Sequence, residues 1–263
     1  MLAVAAAVGS SGASGAAPTW RRPVLVELYT SQGCSSCPAA DAFVRELPAL
    51  GFGRDKVVPL TFHVDYWDRL GWKDPFASAA FTGRQEWYAG SGKLRSPDGA
   101  AGLEGLYTPQ MIVDGTVHFS GRSRQVALRE MERAAAQPPR FDLAIQAAIR
   151  GSAIHLTVLL ADAGAARPDR HEWRVTAALA AKKARTSVGR GENAGETLDE
   201  AEVVRALSER SPVPPAGGAV NLRLSKPADL SWSEADLVVF VQSEAIREIG
   251  AVRVLDARRL AVE

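Results

Sequence analysis

The chain has 263 residues, 46% hydrophobic and 23% charged, near the average for folded proteins, which excludes collagen-like, low-complexity and largely disordered classes. Its 31 basic and 30 acidic side chains leave a formal charge of +1, so no global cationic field draws it to nucleic acid or to anionic membranes. The only cysteines, Cys34 and Cys37, are too few for a disulfide-stapled scaffold or for a zinc site made from paired Cys-x-x-Cys motifs.

Residues 1–20 read as a signal-like or flexible segment. An apolar run from Leu2 to Val8 precedes small residues from Gly9 to Ala17, two of the three parts of a secretory signal, without its basic start. The expectation is a periplasmic or secreted protein. No stretch reaches the roughly 18 uninterrupted apolar residues that a membrane-spanning helix needs.

Residues 23–29 (Pro-Val-Leu-Val-Glu-Leu-Tyr) form a short aliphatic run that ends in Thr30-Ser31-Gln32-Gly33, the pattern of a buried strand entering a loop. A helix is predicted from Cys37, with Pro38 where a missing N–H does no harm and Phe43, Val44, Leu47 and Leu50 as its apolar stripe before Gly51. Residues 57–64 read as a second strand, which completes a parallel βαβ crossover. An aromatic-rich stretch follows, with one or two helices predicted around residues 77–88. Residues 110–113 and 116–119 flank Asp114-Gly115, a strong signal for an antiparallel hairpin. A helix over residues 123–137 presents Leu128, Met131 and Ala135 on one face and stops at Pro138-Pro139.

Beyond the prolines the apolar period becomes two, over residues 141–149 and 154–160, and further strands are predicted at 173–179, 220–224, 237–241 and 250–255. Residues 198–209 read as helical, and Gly-Glu-Asn-Ala-Gly at 191–195 reads as a turn. The domain organisation that follows is a first domain over residues 21–138 and a β-rich one over 140–263.

A disulfide between positions three apart removes little chain entropy from the unfolded state, so stapling is a poor reason for one here and reactivity a better one. Cys34 lies just before a helix N-terminus, where free N–H groups and the macrodipole favour a thiolate. The expected roles are Cys34 as an exposed nucleophile and Cys37 as the resolving thiol, acting through a mixed disulfide. His63 and Asp65, at the end of the second strand, are candidate proton relays. Tyr66, Trp67 and Trp72 are candidates for an apolar substrate wall. A metal pair with His63 or His118 is the alternative chemistry, while His118, His155 and His171 otherwise read as structural.

Residues from about 23 to 137 resemble a thioredoxin-like domain, with Tyr107-Thr108-Pro109 similar to the cis-proline segment that faces the dithiol in that fold. The segments Val-Glu-Leu-Tyr-Thr-Ser-Gln-Gly-Cys-Ser-Ser-Cys-Pro-Ala-Ala-Asp at 26–41 and Phe-His-Val-Asp-Tyr-Trp-Asp-Arg-Leu-Gly-Trp-Lys-Asp-Pro-Phe at 62–76 resemble the bacterial, often exported family known as domain of unknown function twelve twenty-three. Gly-Glu-Asn-Ala-Gly-Glu-Thr-Leu at 191–198 is similar to that family's second motif.

The resemblance implies an α/β thioredoxin-like N-terminal domain followed by a mostly antiparallel, sandwich-like β domain. It further implies a cis peptide before Pro109, with Thr108 and Pro109 contacting substrate. Gly33 stands where thioredoxins carry tryptophan, which implies a more open pocket. The resemblance supplies a fold and not a substrate; with the dithiol chemistry above, the expected function is thiol-disulfide exchange on protein or small-molecule thiol and disulfide substrates, with an unidentified redox partner and no cofactor or resident metal. The alternatives are a non-enzymatic binding module holding a soft metal such as copper, and an inert adaptor whose β half does the work.

Overall fold

A computed structural model describes residues 20–99, 105–163, 172–215 and 218–262. The signal-like residues 1–19 and His171 lie outside them. The first half runs β1 (Val24–Thr30), α1 (Pro38–Glu46), β2 (Val57–His63), α2 (Ala79–Ala89), β3 (Gln110–Val113), β4 (Val117–Ser120) and α3 (Arg124–Ala135). The second half holds β5 (Phe141–Arg150), β6 (Ala153–Asp162), β7 (Trp173–Ser187), β8 (Thr197–Leu207) and β9 (Ser211–Pro212), followed by β10 (Ala219–Ser225), β11 (Ala235–Ser243), β12 (Ile249–Asp256) and β13 (Ala261–Val262).

The expected fold, an α/β thioredoxin-like domain followed by a separate β domain, is not what the chain forms. Among the described residues strand makes up 42% and helix 19%, and strands of both halves join in one mixed nine-stranded sheet of order β12-β11-β7-β8-β2-β1-β3-β4, with β9 alongside β7. The junction is a parallel pairing of β2 with β8 at Thr61 and Val203, reinforced by the Thr61 hydroxyl donating to the Ala201 carbonyl at 2.9 Å. A two-domain reading leaves the outer edge of β2 unpaired, and an unpaired edge of buried, apolar strand invites association. β8 covers that edge.

β8 is also where the sequence reading fails in detail. Residues 198–209 are rich in Glu, Ala, Leu and Arg, which favour helix, yet β8 pairs antiparallel with β7 along nearly its whole length. Strand pairing on both sides overrides the local preference. Leu50, assigned to the apolar stripe of the first helix, is 49% exposed because α1 ends at Glu46.

Packing ties the halves together as firmly as the sheet does. α2 lies over β1 and β2 and over β7, β8 and β11, with Phe81 and Tyr88 in one apolar cluster with Tyr29, Phe62, Ala178, Val204 and Phe240. The opposite face of β1–β4 carries α1 and α3 through Phe43, Val44, Leu47, Ala127 and Met131. A four-stranded sheet, β10-β6-β5-β13, covers the other face of β7 and β11. The β3–β4 turn has Asp114 at φ 54° and Gly115 at φ 72°, the left-handed pair that a type I′ hairpin demands. A Cβ at Gly115 would lie 2.0 Å from the Arg247 carbonyl oxygen, so only glycine lets this turn dock against the β11–β12 connection.

Candidate functional site

β1 ends at Thr30, and the next residues turn sharply, with Cys34 N–H donating to the Ser31 carbonyl at 3.1 Å and Cys37 N–H to that of Cys34 at 3.2 Å. Cys37 is the N-cap residue of α1 and Pro38 follows it, as expected of a proline at a position with no helical acceptor to serve. Cys34 and Cys37 form a disulfide. Both are 0% exposed, which corrects the expectation of an exposed Cys34.

Two segments cover the pair's loop. Gly33 lies against Trp67, where a Cβ would stand at an ordinary contact distance of 3.4 Å from the Trp67 Cβ, so the chain's own tryptophan covers this position. From the second half, Asn193 Nδ2 donates to the carbonyls of Gln32 at 2.8 Å and Cys34 at 3.0 Å. Glu192 Oε2 accepts from the N–H of Ser35 at 2.9 Å and from its hydroxyl at 2.7 Å. The 191–195 segment is a turn, as its composition implies, and its side chains also grip the cysteine loop.

A buried group of ionisable side chains adjoins the cysteine loop: Asp41, one turn into α1, His63 at the end of β2, Asp74, and Glu200 of β8, none more than 5% exposed. His63 Nδ1 lies 2.7 Å from Asp74 Oδ2, and its Nε2 faces Glu200 Oε1 at 3.6 Å. Gln32 knits the group together, its backbone N–H donating to Asp74 Oδ2 at 2.8 Å and its Nε2 to Glu200 Oε2 at 2.8 Å. Asp41 Oδ2 accepts from the Thr30 hydroxyl at 3.1 Å.

The electrostatics follow from burial and crowding of charge. Burial opposes the imidazolium of His63, but Asp74, Glu200 and Asp41 outweigh it and raise the group to about 9. Burial, then the charge of Glu200, pushes the Asp41 carboxyl up to about 8 against the pull of His63 and Thr30. Burial likewise raises Glu200. Asp74 goes the other way, because His63 and the donated backbone hydrogen bonds overcome its burial. Near neutral pH the group therefore holds a proton on Asp41 and a charged His63–Asp74 pair. A cleft of 670 Å³ between α1 and the β7–β8 hairpin is lined in part by Glu200.

The remaining predicted residues fall into two places. Asp65 stands outside the buried group, accepting from the Thr82 hydroxyl at 2.6 Å and tying the end of β2 to α2. Trp72 Nε1 donates to Gln32 Oε1 at 3.2 Å, and Trp72 packs under Gly189 and Gly191. Tyr66 is half-buried and faces Gln85 and Thr108, its hydroxyl pushed up to about 12 by burial. The Thr108–Pro109 bond is cis. Pro109 adjoins the first turn of α1 through Gly121, where a Cβ would lie 3.2 Å from Pro109 Cβ and 3.0 Å from Ala40 Cβ.

Sequence reasoning missed Asp41, Asp74, Glu200 and the grip of Glu192 and Asn193. Asp41 had a signal, since a residue four after Cys37 shares its helix face. Glu200 had none once its strand was read as helix.

These features define a mixed-sheet protein in which a buried Cys-x-x-Cys disulfide loop rests on an acid–imidazole group and is held by a turn from the other half of the chain. The chain belongs to the family described as "Protein of unknown function (DUF1223)", which matches residues 25–242 and so spans both halves. Among solved structures, a protein of Agrobacterium tumefaciens is similar at 23% identity and a TM-score of 0.62, over 91% of this chain and 96% of that one. HBP35 of Porphyromonas gingivalis is similar at 10% identity and a TM-score of 0.64, over 94% of this chain and 78% of that one. At these identities the likeness is one of fold. No curated protein matches the chain. Among the described residues no helix is long and apolar enough to cross a membrane.

Proposed function

We propose that the protein is an exported thiol-disulfide oxidoreductase that exchanges disulfides through Cys34 and Cys37. The observation that carries this reading is that the loop of the Cys34–Cys37 disulfide is bonded to a buried ionisable group, Gln32 donating to Asp74 and Glu200 and Asp41 lying one turn after Cys37. A purely structural disulfide gains nothing from four ionisable groups beside its loop, and burying them is costly. A disulfide that opens and closes must move a proton each time.

In the disulfide-donating direction a substrate thiolate attacks Cys34, the Cys34–Cys37 bond breaks, and a mixed disulfide forms. Cys37 leaves as a thiolate and takes a proton from Asp41, whose carboxyl is held near 8. A second substrate thiolate then attacks the mixed disulfide and releases Cys34. The reverse sequence reduces a substrate disulfide and returns the proton to Asp41. His63 acts through its charge, which together with Glu200 sets the proton affinity of Asp41. Thr108, Pro109 and Tyr66 line the approach beside α1. Export is supported by the signal-like opening.

The test is catalysed exchange between the full chain and a protein with reducible disulfides or free thiol pairs. Turnover that is abolished by Cys34→Ser and slowed by Asp41→Asn supports the reading. Turnover equal to that of buffer alone rejects it.

A further inference from the structure

Disulfide exchange requires a thiolate to reach a sulfur in line with the S–S bond. With both cysteines at 0% exposure, the arrangement described above is closed to every thiol. The tip of the β7–β8 hairpin lies on the cysteine loop, and its base is fastened by Val188 N–H to the Glu196 carbonyl at 2.9 Å and Gly195 N–H to that of Val188 at 2.8 Å. The tip grips the cysteine loop through the side chains of Glu192 and Asn193, so it can lift without unpairing the sheet. Gly191, at φ 78°, lets the tip lie flat on Trp72, where a Cβ would stand 3.1 Å from the Trp72 Cβ.

The groups that the tip occupies tell what would replace it. Asn193 supplies an amide N–H to two backbone carbonyls on either side of Gly33, and Glu192 supplies an oxygen acceptor to the backbone N–H of Ser35. A donor and an acceptor offered to a neighbouring backbone are what an extended peptide offers. Dithiothreitol and other small thiols offer no such peptide N–H and C=O groups.

Resting on the exchange reading, we propose that the 191–195 turn is a gate standing in for the substrate, and that the substrate is an extended polypeptide carrying two cysteines, whose backbone takes over the bonds of Asn193 and Glu192. The electron and proton balance is that of the exchange above: the peptide's two thiols become its disulfide while Cys34 and Cys37 become thiols.

The experiment is stopped-flow reduction of the oxidised full chain by dithiothreitol and by a reduced two-cysteine peptide, in wild type, Asn193→Ala and Glu192→Ala. Glu192 is exposed, so the last variant carries little risk to folding. For wild type the dithiothreitol rate is expected to level off at high concentration, where opening limits it, and the peptide to react faster at equal thiolate concentration. Asn193→Ala is expected to raise the dithiothreitol rate about tenfold, the factor that about 1.4 kcal/mol of lost closure implies, and to narrow the peptide's advantage. Glu192→Ala should shift both in the same direction by a smaller factor. Rates linear in dithiothreitol and within twofold among the three proteins overturn the gate, and if peptide turnover persists they leave the exchange reading standing. A faster dithiothreitol reaction in Asn193→Ala with no peptide turnover in any protein overturns the exchange reading, and the substrate class with it.

Discussion

His63 and Asp74 face each other at 2.7 Å in a site where neither is more than 3% exposed, and this pair fixes the charge of the buried group bonded to the cysteine loop. An imidazole alone at that depth would be neutral, because burial disfavours its cation. With three carboxyl groups around it, His63 remains protonated well above its ordinary value of 6.5.

Stability should therefore fall with rising pH. A histidine whose folded value is raised from 6.5 to about 9 contributes stability that is complete below about 6.5 and lost as pH climbs through about 9. Asp41, raised from 3.8 to about 8, acts in the same sense, its contribution fading between those values. Asp74, lowered, acts oppositely, but only as pH falls toward and below 3.8. Urea midpoints measured from pH 6 to pH 9 should decline. Asp41→Asn should flatten the slope and stabilise the protein at pH 8 by at least about 1 kcal/mol, since each tenfold change in proton affinity on folding corresponds to about 1.4 kcal/mol. A flat wild-type profile would count against the assigned protonation states.

A second buried pair holds the two halves to α2. Arg84 Nε lies 2.6 Å and Nη2 3.0 Å from the two carboxylate oxygens of Glu27 on β1, and Nη2 also donates to Gln242 Oε1 of β11 at 3.0 Å. Glu27→Gln leaves the guanidinium buried with its charge uncompensated. The expected loss is about 3–5 kcal/mol in denaturant unfolding, and a loss below about 1 kcal/mol would show that the pair is not structural.

The shared sheet predicts that the first half does not fold by itself. A fragment of residues 20–138 exposes the edge of β2 and uncovers the α2 cluster where Ala178, Val204 and Phe240 sit. It should show no cooperative thermal transition and should associate. A monomeric fragment with a sharp transition would contradict the single-sheet account.

How much of this was legible depended on whether the signal was local. β1 and β2 are continuous buried runs and the β3–β4 turn carries Asp-Gly, so those elements stand close to where their residues place them. The Cys34–Cys37 pair announced itself by its spacing and by Pro38. β8 did not, because its Glu, Ala and Leu content favours helix while partners on β7 and β2, far away in the chain, make it a strand. With β8 misread, the single sheet and the inward Glu200 were hidden together. The bonds from Asn193 to Gln32 and Cys34 span about 160 positions, and no local pattern marks them.

The most direct measurement is the reduction potential of the Cys34–Cys37 couple, by equilibration of the full chain in glutathione or dithiothreitol buffers with mass-resolved thiol trapping and Cys34→Ser as control. The account predicts a reversible couple between about −120 and −270 mV, the span of known exchange catalysts. A couple below about −300 mV, where structural disulfides lie, would contradict it.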